Sequence, residues 1–203
     1  SAISWHHGIR TEWIGTGMGA ARTLADLLLR EDRPVLALVV GRMEFGPRAL
    51  LHRSLIAYPD RVATRERVNA IKRRAFFRPT APTLLRNFTA DVFVEEDTGP
   101  EGLVDSPYMT FAPRVQEWVK QELPAIVHFD GTARPQTVTQ WSDAFLHAML
   151  SSLPRPIIIN TSLNIKGQPI LNYLDDLLEM LHTNHPLLEA AYVNGYLLRW
   201  VRH

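Results

Sequence analysis

The chain has 203 residues, 46% of them apolar, no cysteine and a formal net charge of +1. That length and apolar content suit one domain with a sizeable core and exclude intrinsic disorder, while the missing cysteines exclude disulfides, thiolate metal sites and a Cys nucleophile. No apolar run approaches the roughly 20 residues of a membrane span, and Ser1-Ala2-Ile3-Ser4 lacks the basic and apolar regions of a signal peptide, so the expectation is a soluble cytoplasmic protein with no membrane partner.

Residues 1–15 read as an N-terminal linker or extension, with His6-His7 a flexible pair, and residues 16–203 as the domain. Ala20, Ala21, Leu24, Leu27 and Leu28 recur at helical spacing until Asp32-Arg33-Pro34, where proline blocks continuation. The run from Pro34 to Gly41 has the length and β-favouring content of a strand buried on both faces. It delivers the segment from Gly41 to Ser54, which carries three arginines and two glycines. Glycines let backbone approach a ligand closely and arginines meet anions, so this segment reads as an anion-binding loop.

Residues 61–74 read as a helix with Arg61, Arg65 and Arg67 as ordinary surface charges. Residues 86–105 read as an acidic, mobile excursion. Beyond it, 112–121, 139–152 and 172–182 are expected helices, 125–129 and 155–160 strands that lead into polar blocks, and 190–199 a last strand. Alternation of this kind favours an α/β (α+β) single domain over a bundle or a sandwich, with chemistry placed at strand ends.

Charge is distributed unevenly. Residues 42–86 hold eleven Lys or Arg against three Asp or Glu, a local +8 that leaves −7 for the rest. A localised basic segment beside glycine turns points to a compact polyanion such as a nucleotide, with a nucleic-acid footprint as the alternative. Tryptophans and tyrosines do not interleave with the basic segment, which argues against a single-strand nucleic-acid platform. No Gly-x-x-x-x-Gly-Lys-Ser/Thr loop occurs.

Five blocks carry a family resemblance: Gly41-Arg42-x-Glu44-x-Gly46-x-Arg48-Ala49-Leu50-x-x-Arg53-Ser54; Asn69-x-x-Lys72-x-Arg74-x-x-Phe77-Arg78-Pro79-x-Ala81-Pro82; Ser106-Pro107-Tyr108-Met109; His128-x-Asp130-Gly131-Thr132-Ala133-Arg134-x-Gln136; and Asn160-Thr161-Ser162-x-Asn164-x-Lys166-Gly167-x-Pro169-Ile170. In this order they resemble the carbamoyltransferase C-terminal domain of the nodulation protein NodU and of antibiotic O-carbamoyltransferases. The resemblance implies a YrdC-like twisted open α/β sandwich that makes carbamoyl-adenylate from ATP, Mg²⁺ and carbamoyl phosphate. It also implies an N-terminal acyl-transfer domain, in cis or in trans, that passes the carbamoyl group to a hydroxyl acceptor. Two positions depart from the family pattern: Leu51 stands where glycine is usual, and Thr80 where phenylalanine is. A leucine held at a glycine's positive φ costs on the order of 1 kcal/mol or reshapes the turn.

Joining a carbamate to an ATP α-phosphate brings two anions together, so cations are the required groups. Arg48, Lys72, Arg78 and Arg134 are the catalytic candidates, with His128 as a proton shuttle or a satisfied core histidine. Arg42, Arg53, Arg74, Asp130, Ser162, Asn164 and Lys166 are binding candidates. Arg48 and Arg53 have a salt bridge with Glu44 as their alternative, and Glu44 itself reads as a positioner of Arg42 or Arg48 with a lowered pKa. Asp130 either holds Mg²⁺ through water or caps its own turn. Ser162 and Asn164, two apart in an extended segment, either grip one ligand or form a turn into Lys166-Gly167. Two further readings are a threonylcarbamoyl-adenylate synthase-like enzyme and a non-catalytic nucleotide- or RNA-binding module.

Overall fold

A computed structural model describes residues 8–200. In chain order its first half comprises β1 (Ile9–Trp13), α1 (Met18–Leu28), β2 (Val35–Val39), β3 (Arg53–Ala57), α2 (Val62–Ile71), β4 (Ala81–Leu85) and α3 (Thr89–Val92). The second half comprises α4 (Glu117–Glu122), β5 (Gln136–Val138), α5 (Ala144–Ser151), β6 (Ile157–Ser162), α6 (Leu174–Thr183), β7 (Leu188–Val193) and β8 (Tyr196–Trp200). All eight strands join one mixed sheet in the order β1, β8, β7, β2, β3, β6, β4, β5.

Alternation of side chains across the sheet builds two cores. Val35, Ala37, Leu55, Ala57, Ile157 and Ile159 pack under α2, α4 and α6, while Leu36, Leu38, Ile56 and Ile158 pack under α1 and α5. Both faces are covered, which is why Val35–Val39 and Ile157–Ile159 are unbroken apolar runs rather than alternating ones. The result is the open α/β sandwich expected of a YrdC-like domain. No helix among the described residues is long and apolar enough to cross a membrane.

Strand direction gathers the polar blocks. β3 and β4 both run antiparallel to β6, and β5 runs parallel to β4. The starts of β3, β4 and β5 therefore lie beside the end of β6, where Asn160 pairs with Ile56 on one side and Ala81 on the other. Four of the five blocks enter or leave strands at this edge, and the fifth is tied in by the bond from Thr137 N to Ser106 O at 3.0 Å.

Several elements differ from the sequence expectation. Within 1–15, read as linker or extension, Ile9–Trp13 form β1 against β8; residues 1–7, including His6-His7, lie outside the described residues. The expected strand 125–129 is instead a 3₁₀ turn at Pro124–Ile126, because Pro124 offers no N–H to a ladder while the turn still buries Ala125 and Ile126. The stretch 86–105 is no excursion: it contributes Val92, Phe93 and Val104 to the core, and Arg114 ties down Asp97 at 2.9 Å. The single last strand at 190–199 is a hairpin, β7 and β8, reversed at Asn194-Gly195, both with positive φ as a type I′ turn requires. Gly195 is required there twice over, since a Cβ would also run into the Trp13 ring.

Candidate active site

At the gathered strand edge lies a cavity of about 190 Å³ whose wall includes Arg48, Arg74, Arg134, Ser162 and Asn160. No carboxylate lines it. The arginines crowd one another: burial and then Arg48 lower the pKa of Arg134, while burial and then Arg78 lower that of Arg74 to about 10. Both stay protonated at neutral pH, so the protein has concentrated positive charge that only an incoming anion can neutralise.

Each cation is held by local chemistry. Buried Asn69 donates its amide to Phe76 O at 2.8 Å and Arg78 O at 3.0 Å, and its Oδ1 accepts from Arg74 Nε, so one side chain shapes the 72–78 loop. Lys72 lies behind the cavity. Its Nζ donates to Ser162 Oγ at 3.0 Å, Asn164 Oδ1 at 2.6 Å and Asn164 O at 3.1 Å, and also reaches Ser162 O. Burial, then repulsion from Arg74, pushes Lys72 down to about 7, while these oxygens favour the charged form. Lys166 presents its side chain to solvent and donates its backbone N–H to Lys72 O at 3.1 Å, clamping the two blocks together.

The loop after β2 is folded around Glu44. Its carboxylate accepts from Leu50 N, from Arg53 N at 3.0 Å, and faces His52 Nδ1 at 3.6 Å. Glu44 thus holds backbone N–H groups rather than positioning Arg42 or Arg48, a correction to the sequence expectation. Burial alone would raise its pKa, but the bonds from His52 and the loop backbone prevail and lower it. Leu51 keeps the positive φ of a glycine, at 75°, with its side chain fully buried in the core under α1 and α5, so the turn is retained rather than reshaped. Thr80 is likewise absorbed, its hydroxyl donating to Ala125 O at 2.7 Å.

The other expected residues are placed elsewhere. Arg53 spends its guanidinium on the carbonyls of Val40, Gly41 and His52 at 2.8–3.1 Å, strapping the ends of β2 and β3. Arg42 and Arg78 are exposed, the latter beside Arg74. His128 and Asp130 line an adjoining groove of about 850 Å³ with Phe76 and Phe77. Asp130 caps its own turn, accepting from Thr132 N at 3.0 Å and Thr132 Oγ1 at 2.7 Å. His128 contacts Thr132 Oγ1 at 3.1 Å, and burial lowers its pKa. Asn164 borders a third cavity, of about 530 Å³, with Arg73, Gln168 and Tyr173. Among the described residues no three His, Cys, Asp or Glu side chains gather to hold a metal.

Residues without an assigned role in the sequence reading turn out to build the floor. Asn160 is 1% exposed and donates to Ala49 O and Gln136 Oε1, each at 2.9 Å. Gln136 Oε1 also accepts from Thr83 at 2.9 Å. Their sequence signal is membership of the family blocks, Gln136 closing one and Asn160 opening another at the end of an isoleucine run.

Comparison with known proteins shows the family and the fold. Residues 25–199 match the family described as carbamoyltransferase C-terminus. Nodulation protein NolO of Bradyrhizobium diazoefficiens is 35% identical over 170 residues, which cover 81% of this chain and 30% of NolO. The 3'-hydroxymethylcephem-O-carbamoyltransferase of Amycolatopsis lactamdurans is 40% identical over 147 residues, 70% of this chain and 26% of that enzyme. The chain thus spans under a third of the length of these relatives. Among solved structures, full-length HypF in its phosphate- and nucleotide-bound form shares the fold at TM-score 0.57 and 15% identity, covering 86% of this chain and 21% of that one.

Proposed function

Since this chain belongs to the carbamoyltransferase C-terminus family, we propose that it is the carbamoyl-activating domain of an O-carbamoyltransferase. Carbamoyl phosphate gives carbamate and phosphate with water, and a carbamate oxygen then attacks the α-phosphorus of ATP, forming carbamoyl-adenylate and displacing pyrophosphate. The observation that carries this reading is the cavity of about 190 Å³ walled by Arg48, Arg74 and Arg134 with no opposing carboxylate. Attack of one anion on another is slow because they repel. A cation 4 Å away contributes about 4 kcal/mol at an effective dielectric of 20, against about 1 kcal/mol in water, so three guanidiniums in a part-enclosed site address that barrier. Ser162, fixed by Lys72, supplies a hydroxyl on the same wall.

The cavity wall offers no carboxylate to a divalent cation, so Mg²⁺ would enter on the triphosphate rather than be held by protein groups. The carbamoyl acceptor is a hydroxyl compound bound by a separate acyl-transfer domain, in cis or in trans. Pyrophosphate release from ATP and Mg²⁺, measured with and without carbamoyl phosphate and alongside mass detection of carbamoyl-adenylate, tests the reading. Release that requires carbamoyl phosphate supports it. Tight nucleotide binding with no release, even with the acyl-transfer domain of a relative added, would replace it with a binding-only module.

A further inference from the structure

Two buried polar atoms at the cavity have no hydrogen-bond partner: Asn160 Oδ1, an acceptor, and Arg134 Nε, a donor. Both residues line the same 190 Å³ space. An unpartnered acceptor is out of place in a site built from guanidiniums to receive anions, because it would repel any oxygen brought against it.

The orientation of the Asn160 amide is not free. Its Nδ2 faces Ala49 O and Gln136 Oε1, and Gln136 Nε2 in turn faces Leu50 O at 3.3 Å. Flipping Asn160 alone would set Oδ1 against two acceptors. Flipping Gln136 with it would relieve one of these contacts but still leave Oδ1 against Ala49 O and set Oε1 against Leu50 O. The two backbone carbonyls therefore fix both amides, and Oδ1 is left as the one unfilled valence of the network.

Resting on the carbamoyl-activation reading, we infer that Asn160 Oδ1 is the group that selects the carbamoyl substrate, accepting from its NH₂ while Arg134 Nε donates to its carbonyl oxygen. A carbamoyl group presents a donor and an acceptor on one carbon, the complement of the pair left open. An acetyl group of the same shape offers a methyl where the donor is needed and leaves Oδ1 desolvated. A site built to hydrogen-bond an N–H discriminates strongly against the analogue that lacks it. Gln136 is a positioning residue, acting through Asn160.

The test is binding, independent of turnover. Phosphonoacetamide and 2-oxopropylphosphonate are stable stand-ins that differ in NH₂ against CH₃. Titration calorimetry on the wild-type chain is expected to give a preference of about tenfold or more for the amide. Asn160→Ala is expected to bring the two ligands within about threefold while phosphonate binding remains, and Gln136→Met to reduce the preference by freeing the amide to turn, with thermal melts confirming folded protein. Equal binding of both ligands to the wild type overturns the inference without recourse to any variant, as does a preference that survives Asn160→Ala. If neither ligand binds, the role of Asn160 is likewise overturned; in all of these cases carbamoyl activation is retained where carbamoyl-phosphate-dependent pyrophosphate release stands and falls where it does not.

Discussion

Lys72 Nζ lies 3.0 Å from Ser162 Oγ although the two residues are 90 apart in sequence. The same ammonium bonds Asn164 Oδ1 at 2.6 Å, so a lysine from the loop before β4 fixes the hydroxyl and the amide at the end of β6. Lys72→Met would leave Ser162 and Asn164 without their anchor and is expected to lower carbamoyl-phosphate-dependent pyrophosphate release by about tenfold or more, since lost charge-assisted hydrogen bonds are worth roughly 1.5–3 kcal/mol each. The ammonium itself, held near 7 against an ordinary 10.5, binds fewer protons folded than unfolded between those values. Stability should therefore rise with pH above 7, and chemical denaturation at pH 7, 8 and 9 should show that rise in the wild type and a flatter profile in Lys72→Met.

Arg134 sits under the repulsion of Arg48 with its Nε unpartnered. Arg134→Met keeps the packing of the side chain's stem and removes the crowded charge, so the melting temperature is expected to hold or rise by a few degrees while sulfate affinity falls about tenfold or more. A variant that loses stability together with sulfate binding would show that Arg134 is a structural cation.

The Glu44–His52 pair gives the arginine loop a pH window. His52 is raised above its ordinary 6.5, first by the bond to Glu44, so its stabilisation is complete below 6.5 and is lost as pH rises through the raised value. Glu44, lowered below 4.5, contributes above 4.5 and loses its effect as pH falls through the lowered value. The pair's own contribution should therefore be largest between these limits: the melting-temperature difference between wild type and Glu44→Gln is expected to peak there and shrink on both sides, with a cost of about 1–3 kcal/mol at its maximum from weakening the acceptor for Leu50 N and Arg53 N.

At Leu51 two effects oppose each other. Its φ of 75° is strained for leucine, yet its side chain is fully buried. Replacing it with glycine relieves about 1 kcal/mol of strain but empties a core position that costs about 2–5 kcal/mol in leucine-to-alanine substitutions, so burial wins. Leu51→Gly is expected to destabilise by about 1–4 kcal/mol in urea denaturation. Stabilisation would mean that the glycine usual here is the better residue in this chain too.

Much of this was legible in the residues themselves. Val35–Val39 and Ile157–Ile159 announce strands buried on both faces, and the helical spacing of Ala20, Ala21, Leu24 and Leu28 marks α1. The Asn194-Gly195 dipeptide also signals a hairpin, but the apolar residues on both sides of it read as one strand when period is weighed over turn chemistry. Pro124 carried the corresponding signal against a strand at 125–129.

Composition and local pattern determined the buried strands Val35–Val39 and Ile157–Ser162, which loop is cationic, and that a polar block meets the end of each, whereas β1, β3, β4 and β5 take their strand character from the sheet they join. Only the tertiary structure decided which cations share a site. Arg48 and Arg53 are equivalent as letters in one loop, but the antiparallel pairing of β2 and β3 turns Arg53 onto the carbonyls of Val40 and Gly41, while Arg48 lines the cavity with Arg134. The difference arises because a guanidinium is satisfied by whichever acceptors the fold brings within about 3 Å, and the register of strands distant in sequence determines which those are.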